Sequence, residues 1–434
     1  MAPNSGPGVP DNPYASPKAA YYALGLLTVV YSFNFIDRQL LAILQESIKA
    51  DLGLSDSQLG LLTGFAFAVF YVTAGIPIAR WADHSNRRNI VALALFLWSF
   101  MTAISGLAQN YIQLLLARIG VGVGEAGGSP PSHSIISDIF PAEKRASALG
   151  FYSTGVSFGI LFGFLFGGWL NEFFGWRVAF FVVGVPGIAL AVLVRFSLRE
   201  PLRGMAEQRT VSSGTVTIRQ VIKLLWSRIS FRHLALAAAL NAFVGYSVGS
   251  WSASFFIRSH GMTTGELGTW LAMIIGLCGA IGVFFGALLA DRLAPRDKRW
   301  YVWLPALSCL VIAPFSAAVY LVEQPYVALA LLVVPGMLHN VYLGSSLAVT
   351  HGMVGLRMRA VSSAILFFII NIIGLGAGPW SVGVLSDYLT PSLGSEALRN
   401  ALLLLSPPIM LWSATHFYLA SRTLRQDLDA APEG

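Results

Sequence analysis

Four ionisable residues stand inside long apolar runs of this 434-residue chain: Asp37, Arg38, Arg118 and Glu125. Asn34, Asp37 and Arg38 are spaced i, i+3, i+4 and share one face of a helix, while Arg118 and Glu125, seven apart, share a face of another. In hydrocarbon each charge costs at least ~2.5 kcal/mol if unpaired, so the four are expected to turn inward and find partners. Two cations balance two anions. The chemistry open to such a set is proton transfer coupled to a change of shape. Burial disfavours the charged Asp37 carboxylate and a neighbouring Arg118 guanidinium favours it, so a movement that makes or breaks that contact releases or takes up a proton. Glu125 is a second candidate carrier. Arg38 has three readings, an anchor for an anionic head group, a partner for Glu125, or a residue near the outer interface. Against all of these stands a purely structural reading, an ion-pair network that orients helices.

Other chemistries lack their residues. There is no Walker A motif, HExxH or nucleophile elbow, so neither ATP drive nor an enzyme is indicated. Gly122-Val-Gly124-Glu-Ala-Gly127 spells G-x-G-x-x-G, but no βαβ unit surrounds it. Cys278 and Cys309 lie in apolar runs without metal-ligand or redox spacing, so no metal and no cofactor is expected.

Composition sets the surroundings of the four charges. The chain is 55% apolar with 43 glycines, and only 11% is charged, against ~25% in soluble domains. That is too little charge to clothe a soluble surface of this size, and it points to an all-α membrane protein. Twelve apolar runs lie near 19–45, 56–79, 89–109, 110–139, 146–173, 176–198, 231–258, 264–292, 299–322, 325–352, 358–388 and 397–424. Twelve helices of ~20 residues need about 240. Residues 1–18, rich in Pro, Ser, Asn and Gly, lack a signal peptide's apolar stretch and are expected to form a disordered tail before a retained first span.

The net charge of +7 would suit a nucleic-acid binder in a soluble protein. Here 22 of the 28 Lys and Arg fall at the termini and in alternate loops, with four in the opposite loops. Under the positive-inside rule this places both termini in the cytoplasm, in the cell's inner membrane, with no nucleic-acid partner. The long connection 199–230 divides the chain into six-span bundles, 19–198 and 231–424, with a tail at 425–434. Within it Ile218, Val221, Ile222, Leu225 and Ile229 recur at helical spacing, opposed by Arg219, Lys223 and Arg228. An amphipathic helix at the membrane interface fits this pattern, and a charged linker is the alternative.

The halves repeat. Ala79-Arg-Trp-Ala-Asp83-His-Ser-Asn-Arg87-Arg88 follows span 2 and Ala287-Leu-Leu-Ala-Asp291-Arg292-Leu-Ala-Pro-Arg296 follows span 8, with the aspartates 208 residues apart. Glu143-Lys-Arg145-Ala before span 5 is echoed by Arg357-Met-Arg359-Ala before span 11. With twelve spans and the long linker, these elements resemble the major facilitator superfamily. Within it, Asn34-Phe-Ile-Asp37-Arg38, the stretch from Ile48 to Gly60, and Arg118-Ile-Gly-Val-Gly-Val-Gly-Glu125-Ala resemble the spinster-like lipid transporters. Two departures stand out: Asn86 replaces the glycine usual in the first loop element, and Gly163-Phe-Leu-Phe-Gly167-Gly168 lacks the proline of many antiporters. The resemblance implies two pseudo-symmetric six-helix bundles around a mid-membrane site. It also implies that Asp83, Arg87, Arg88, Arg145, Asp291, Arg292 and Arg359 lock the cytoplasmic side when it is shut.

Glycines 155, 159, 163 and 167 recur every four residues and give span 5 a flat stripe for close packing. The second half has no comparable buried acid. Its Tyr246, Trp251, Asn340 and Asn371 join Asn34 and Arg38 as candidate substrate contacts, each of which could instead be a helix-packing group. A cavity charged on one wall and greasy on the other suits an amphiphile. The expectation is therefore a proton-coupled transporter of a lysophospholipid or sphingolipid-like molecule, working by alternating access as a monomer among membrane lipids. Export of drugs or metabolites, or uniport without a proton, are the alternatives.

Overall fold

The computed structural model describes residues 13, 14, 16–203 and 217–432. Its helices are α1 (Pro17–Leu52), α2 (Asp56–His84), α3 (Arg87–Ser105), α4 in two pieces (Tyr111–Glu125 and Ser129–Ile139), α5 (Ala142–Phe174) and α6 (Trp176–Ser197). The second half holds α7 (Ile229–His260), α8 (Thr264–Leu293), α9 (Trp300–Leu321), α10 (Pro325–Gly352), α11 (Arg359–Ile369, continuing through Gly378–Leu393) and α12 (Ala397–Asp429). By length and composition alone, 10 described helices can cross a membrane. One of these, Arg359–Asp429, has 71 residues, far more than the ~20 a crossing needs. It reverses at Gly394, whose φ of 55° only glycine adopts readily, so it is two crossings. The divided α4 adds one more. The protein is thus a twelve-helix membrane bundle built from two pseudo-symmetric sets of six.

The repeat reaches individual turns. Gly53 closes α1 at φ 64° and Ser55 caps α2, its hydroxyl accepting the Gln58 N–H. Gly261 closes α7 at φ 67° and Thr263 caps α8 in the same way, accepting the Glu266 N–H. Both pairs are 208 residues apart, as are Asp83 and Asp291. Left-handed glycine followed by a hydroxyl cap is what a three-residue reversal between helices demands.

Several helices are interrupted near mid-depth. Gly64 kinks α2, and the corresponding point of α8 is a π-helical segment, Ala272–Cys278. α4 breaks at 126–128, where Gly127 and Gly128 donate N–H bonds three residues back, and α10 breaks at His339 and Asn340. α11 has its own π segment, Ile370–Ala377. Such segments often mark functional sites.

The glycine stripe seats α5 on α1. A Cβ added to Gly155 would lie 2.8 Å from the Thr28 carbonyl oxygen, and one on Gly159 would lie 2.4 Å from the Phe35 Cβ. Close backbone approach on this side turns Asn34, Asp37 and Arg38 toward α2, α3 and α4.

The linker helix forms over Ile218–Ser227. Val221 and Leu225 bury against the second half, while Ile218, Ile222 and Trp226 stay exposed as an apolar strip. Residues 204–216 of the linker fall outside the described residues, as do 1–12, 15, 433 and 434. Within the N-terminal stretch expected to be disordered, Tyr14 is buried: its hydroxyl donates to the Arg199 carbonyl at 2.5 Å and accepts the Arg199 N–H at 3.1 Å. At the other end α12 runs to Asp429, past residue 424. Asp427 there accepts the N–H and hydroxyl of Ser230, tying the C-terminal helix to the start of α7.

Candidate functional site

Helices α1, α2, α3 and α4 converge on a buried polar cluster at mid-membrane. Asn34, Asp37, Arg118 and Glu125 are all buried. Glycines make the convergence possible: a Cβ on Gly124 would lie 2.7 Å from the Trp98 backbone nitrogen, so α4 carries Glu125 directly against α3. Arg38 Nε donates to Glu125 Oε2 at 2.7 Å, and its guanidinium lies over Phe67 (4.7 Å), Phe35 (4.9 Å) and Tyr71 (5.0 Å). Arg118 approaches the same Phe67 ring at 5.7 Å. Of the three readings of Arg38, the pairing with Glu125 is the one formed.

No hydrogen bond joins Asp37 to Arg118 in this state. Both Asp37 carboxyl oxygens, Arg118 Nε and Nη1, and Glu125 Oε1 are buried without hydrogen-bond partners. Trp98 Nε1, Ser99 Oγ and Thr102 Oγ1 on α3 are in the same condition, and Thr102 and Arg118 are Asp37's polar neighbours. Buried polar groups are nearly always hydrogen-bonded, so this concentration of unmet donors and acceptors is unusual.

The other substrate candidates divide. Tyr246 on α7 packs against the core of the first half and lies within electrostatic range of Arg38, so it belongs to the cluster from the opposite wall. Asn371 lies in the π segment of α11, donating to the Phe367 carbonyl at 2.8 Å. Asn340 is exposed at the break in α10. Trp251 is fully buried and spends its N–H on the Pro379 carbonyl at 2.9 Å, a packing contact between α7 and α11.

A second set of charges, at the membrane face opposite the termini, was not singled out from sequence. Arg258 on α7 holds two carboxylates at once: Glu46 at 2.7 and 3.0 Å, and Asp56 at 2.6 and 2.7 Å. Asp56 also accepts from Lys49 and from Ser386 at 2.6 Å. Asp387 on α11 accepts the N–H groups of Asp56 (2.9 Å) and Ser57 (2.8 Å), capping α2 across the two halves. Glycines again bring the backbones together, with an added Cβ on Gly383 lying 2.2 Å from the Asp56 carbonyl oxygen. Beside this lock, Asn171 and Glu172 on α5 bind Thr264 and Gly265 on α8 at 3.2 and 2.6 Å.

The face bearing the termini is different. Arg87 is buried but bonded within its own half and the adjoining linker, to Asp138, Ser134 (2.7 Å), Glu200 (2.8 Å) and the Pro201 carbonyl (3.0 Å). Arg88 donates its backbone N–H to Glu200 at 2.8 Å, and Arg145 donates to the Ser137 carbonyl at 3.0 Å. Asp83, Asp291, Arg292 and Arg359 stand exposed. In the second half Asp297, outside the expected set, takes the ion pairs, with Arg299 at 2.9 Å and Arg425 at 2.7 Å. The hydrogen bond from Arg299 pulls its carboxyl down to about 2.

The Major Facilitator Superfamily model matches residues 27–379. An "MFS-type efflux pump" of Mycolicibacterium smegmatis is 34% identical over 95% of both chains. The sphingosine-1-phosphate transporter SPNS2 of Xenopus tropicalis is 26% identical, covering 97% of this chain and 85% of its own. The crystal structure of a bacterial homologue of the human lysosomal transporter Spinster, inward-facing and unoccupied, is 32% identical and superposes with a TM-score of 0.87 over 95% of this chain and 99% of that one. With a bundle clamped at one face and a charged cluster at its middle, the chain is a multi-pass membrane transporter belonging to the major facilitator superfamily.

Proposed function

We propose that this transporter moves an amphiphilic lipid, of lysophospholipid or sphingolipid kind, and that proton uptake and release at Asp37 drives it by alternating access. The observation that carries the reading is the Asp37 carboxyl, buried among helices with neither oxygen hydrogen-bonded while Arg118 nearby has two unmet nitrogens. A carboxyl left without a donor in a dry site holds a proton at least cost, and one brought against a guanidinium gives it up. The state described here, locked opposite the termini, is then the one open toward the termini. The excess of Lys and Arg in the loops on that side supports a cytoplasmic placing of the termini, with the cell membrane as the membrane crossed.

Glu125, held by Arg38, is the second acid of the same circuit. Helix movements that bring Arg118 to Asp37 alter the company of both carboxyls at once, coupling protonation to the opening of one side. Arg38, Asn34 and Tyr246 form the charged wall of the cavity, and Asn371 and Asn340 mark the mid-depth interruptions on the other wall. One copy contains both halves, so a monomer suffices.

The test is flux into proteoliposomes under an imposed pH gradient, with a fluorescent lysophospholipid and a sphingoid base as cargo. Wild-type protein accumulates one of them against its gradient, and Asp37→Asn equilibrates it without accumulation. Accumulation that ignores the pH gradient and survives Asp37→Asn overturns the proton assignment. Movement of neither amphiphile overturns the substrate assignment and favours the second reading, export of drugs or metabolites, which the name of the M. smegmatis relative supports.

A further inference from the structure

Two grooves lie on the outer surface of the bundle, away from the cavity between the halves. The first, about 530 Å³, runs between α3 and α6 and is walled by Leu93, Phe96, Val192 and Phe196, with Trp81 of α2 on its rim. The second, about 440 Å³, runs between α9 and α12 and is walled by Trp300, Trp303, Leu307, Leu310 and Tyr418. Since α9 and α12 stand to the second half as α3 and α6 stand to the first, the grooves are related by the same repeat as the helix turns.

Arg195 lines the first groove at its end nearest the termini, and Arg422 lies one turn of α12 beyond Tyr418, which lines the second. Arg195 lies in the last turn of α6 with its guanidinium 5.6 Å from the Phe196 ring, and Arg422 lies near the end of α12, 5.3 Å from the Tyr418 ring. Both are exposed, and neither makes an ion pair among the described residues. Their neighbours differ: Arg299 and Arg425 are both committed to Asp297, and Arg203, beside the first groove, is committed to the Ala82 and Ser85 carbonyls at 2.5 and 2.9 Å. Asn86 and Asn89 add neutral hydrogen-bonding groups at the mouth of the first groove.

We propose that each groove holds an acyl chain of an anionic phospholipid from the leaflet on the side of the termini, with the lipid phosphate on Arg195 in one and on Arg422 in the other. A concave apolar surface inside a bilayer is filled by hydrocarbon, and both grooves are open troughs along which an acyl chain can lie lengthwise. An unpaired guanidinium at the depth of a helix end meets the head-group layer, where its planar fork matches phosphate oxygens. The aromatic ring beneath each one holds it at that depth. Each groove is built from one half alone, so opening and closing the cavity leaves it intact. These lipids are therefore structural companions of the two halves, distinct from any transported molecule.

The experiment uses the full chain in nanodiscs of phosphatidylcholine containing a phosphatidylglycerol probe with a photoreactive diazirine in its acyl chain, followed by peptide mapping of the adducts. Adducts are expected to concentrate on Leu93 to Phe96 and Val192 in the first groove, and on Leu307 to Leu310 and Thr415 in the second. Arg195→Gln lowers labelling of the first groove by about five-fold, the factor expected for one interfacial arginine, and leaves the second unchanged; Arg422→Gln does the reverse. The unaffected groove is the internal control for folding. Three results overturn the proposal: labelling spread evenly around the belt of the bundle, equal labelling by a zwitterionic phosphatidylcholine probe, or cross-links between two copies of the chain in place of lipid adducts.

Discussion

The two charge clusters, one partly buried at the face opposite the termini and one buried at mid-membrane, have similar residues and opposite bonding. Opposite the termini, Arg258, Glu46, Asp56, Lys49 and Asp387 are linked by bidentate and capping bonds that draw on α1, α2, α7 and α11. At mid-membrane, Asp37 has no bonded partner and Glu125 has one oxygen bonded. Charge that is fully bonded fixes the helices carrying it, because removing any member strands the rest in a low-dielectric place. The first cluster is a clamp; the second is left unbonded, which under the proposed function is what a proton switch requires.

Four substitutions can break or sharpen that contrast. Asp56→Ala leaves Arg258 without one of its two carboxylates and should cost about 3–5 kcal/mol of the clamped state. The cost is read as a lower melting temperature in detergent, or as new cysteine accessibility at the face opposite the termini. Gly159→Val forces a branched side chain against Phe35 and should cost about 1–3 kcal/mol by overpacking α5 on α1. Asp37→Asn should leave the melting temperature level or raised, since the amide takes the place of a carboxyl that has no hydrogen bond to lose. A loss as large as that of Asp56→Ala would mean that Asp37 is a clamp too. Asp291→Asn, exposed at the end of α8, should stay within about 0.5 kcal/mol of wild type.

The number of crossings, the repeat and the inward turn of Asp37, Arg38, Arg118 and Glu125 were legible because hydrocarbon leaves few alternatives for apolar runs and for the charges among them. The clamp was not legible. Arg258 and Asp56 are 202 residues apart and sit at span edges, where single charges serve equally well as topology signals. Its one local clue was Ser55-Asp56-Ser57-Gln58, a helix cap whose acid is spare for an outside partner. Phe67 and Tyr71 were hidden among 28 phenylalanines and 14 tyrosines, and nothing in composition distinguishes a ring under a guanidinium from one facing lipid. Asp83, Asp291, Arg292 and Arg359, expected to lock the side of the termini, stand exposed, which under the proposed function is the arrangement that goes with a lock on the opposite face.

The interruptions in α4 and α10 bear on how much of the chain must move. An unbroken helix gripped at one end behaves as a rigid rod, and swinging its free end means releasing the grip. A helix jointed halfway keeps one end fixed while the other turns. The arm of α4 beyond its joint, on the side of the termini, has 11 residues, about 16 Å, so a tilt of about 10° displaces its tip by about 3 Å. Glu125, at the joint itself, scarcely travels. A residue at a fulcrum changes its neighbours without changing its place, and under the proposed function that lets a proton be exchanged at a fixed address while the doorway several turns away opens.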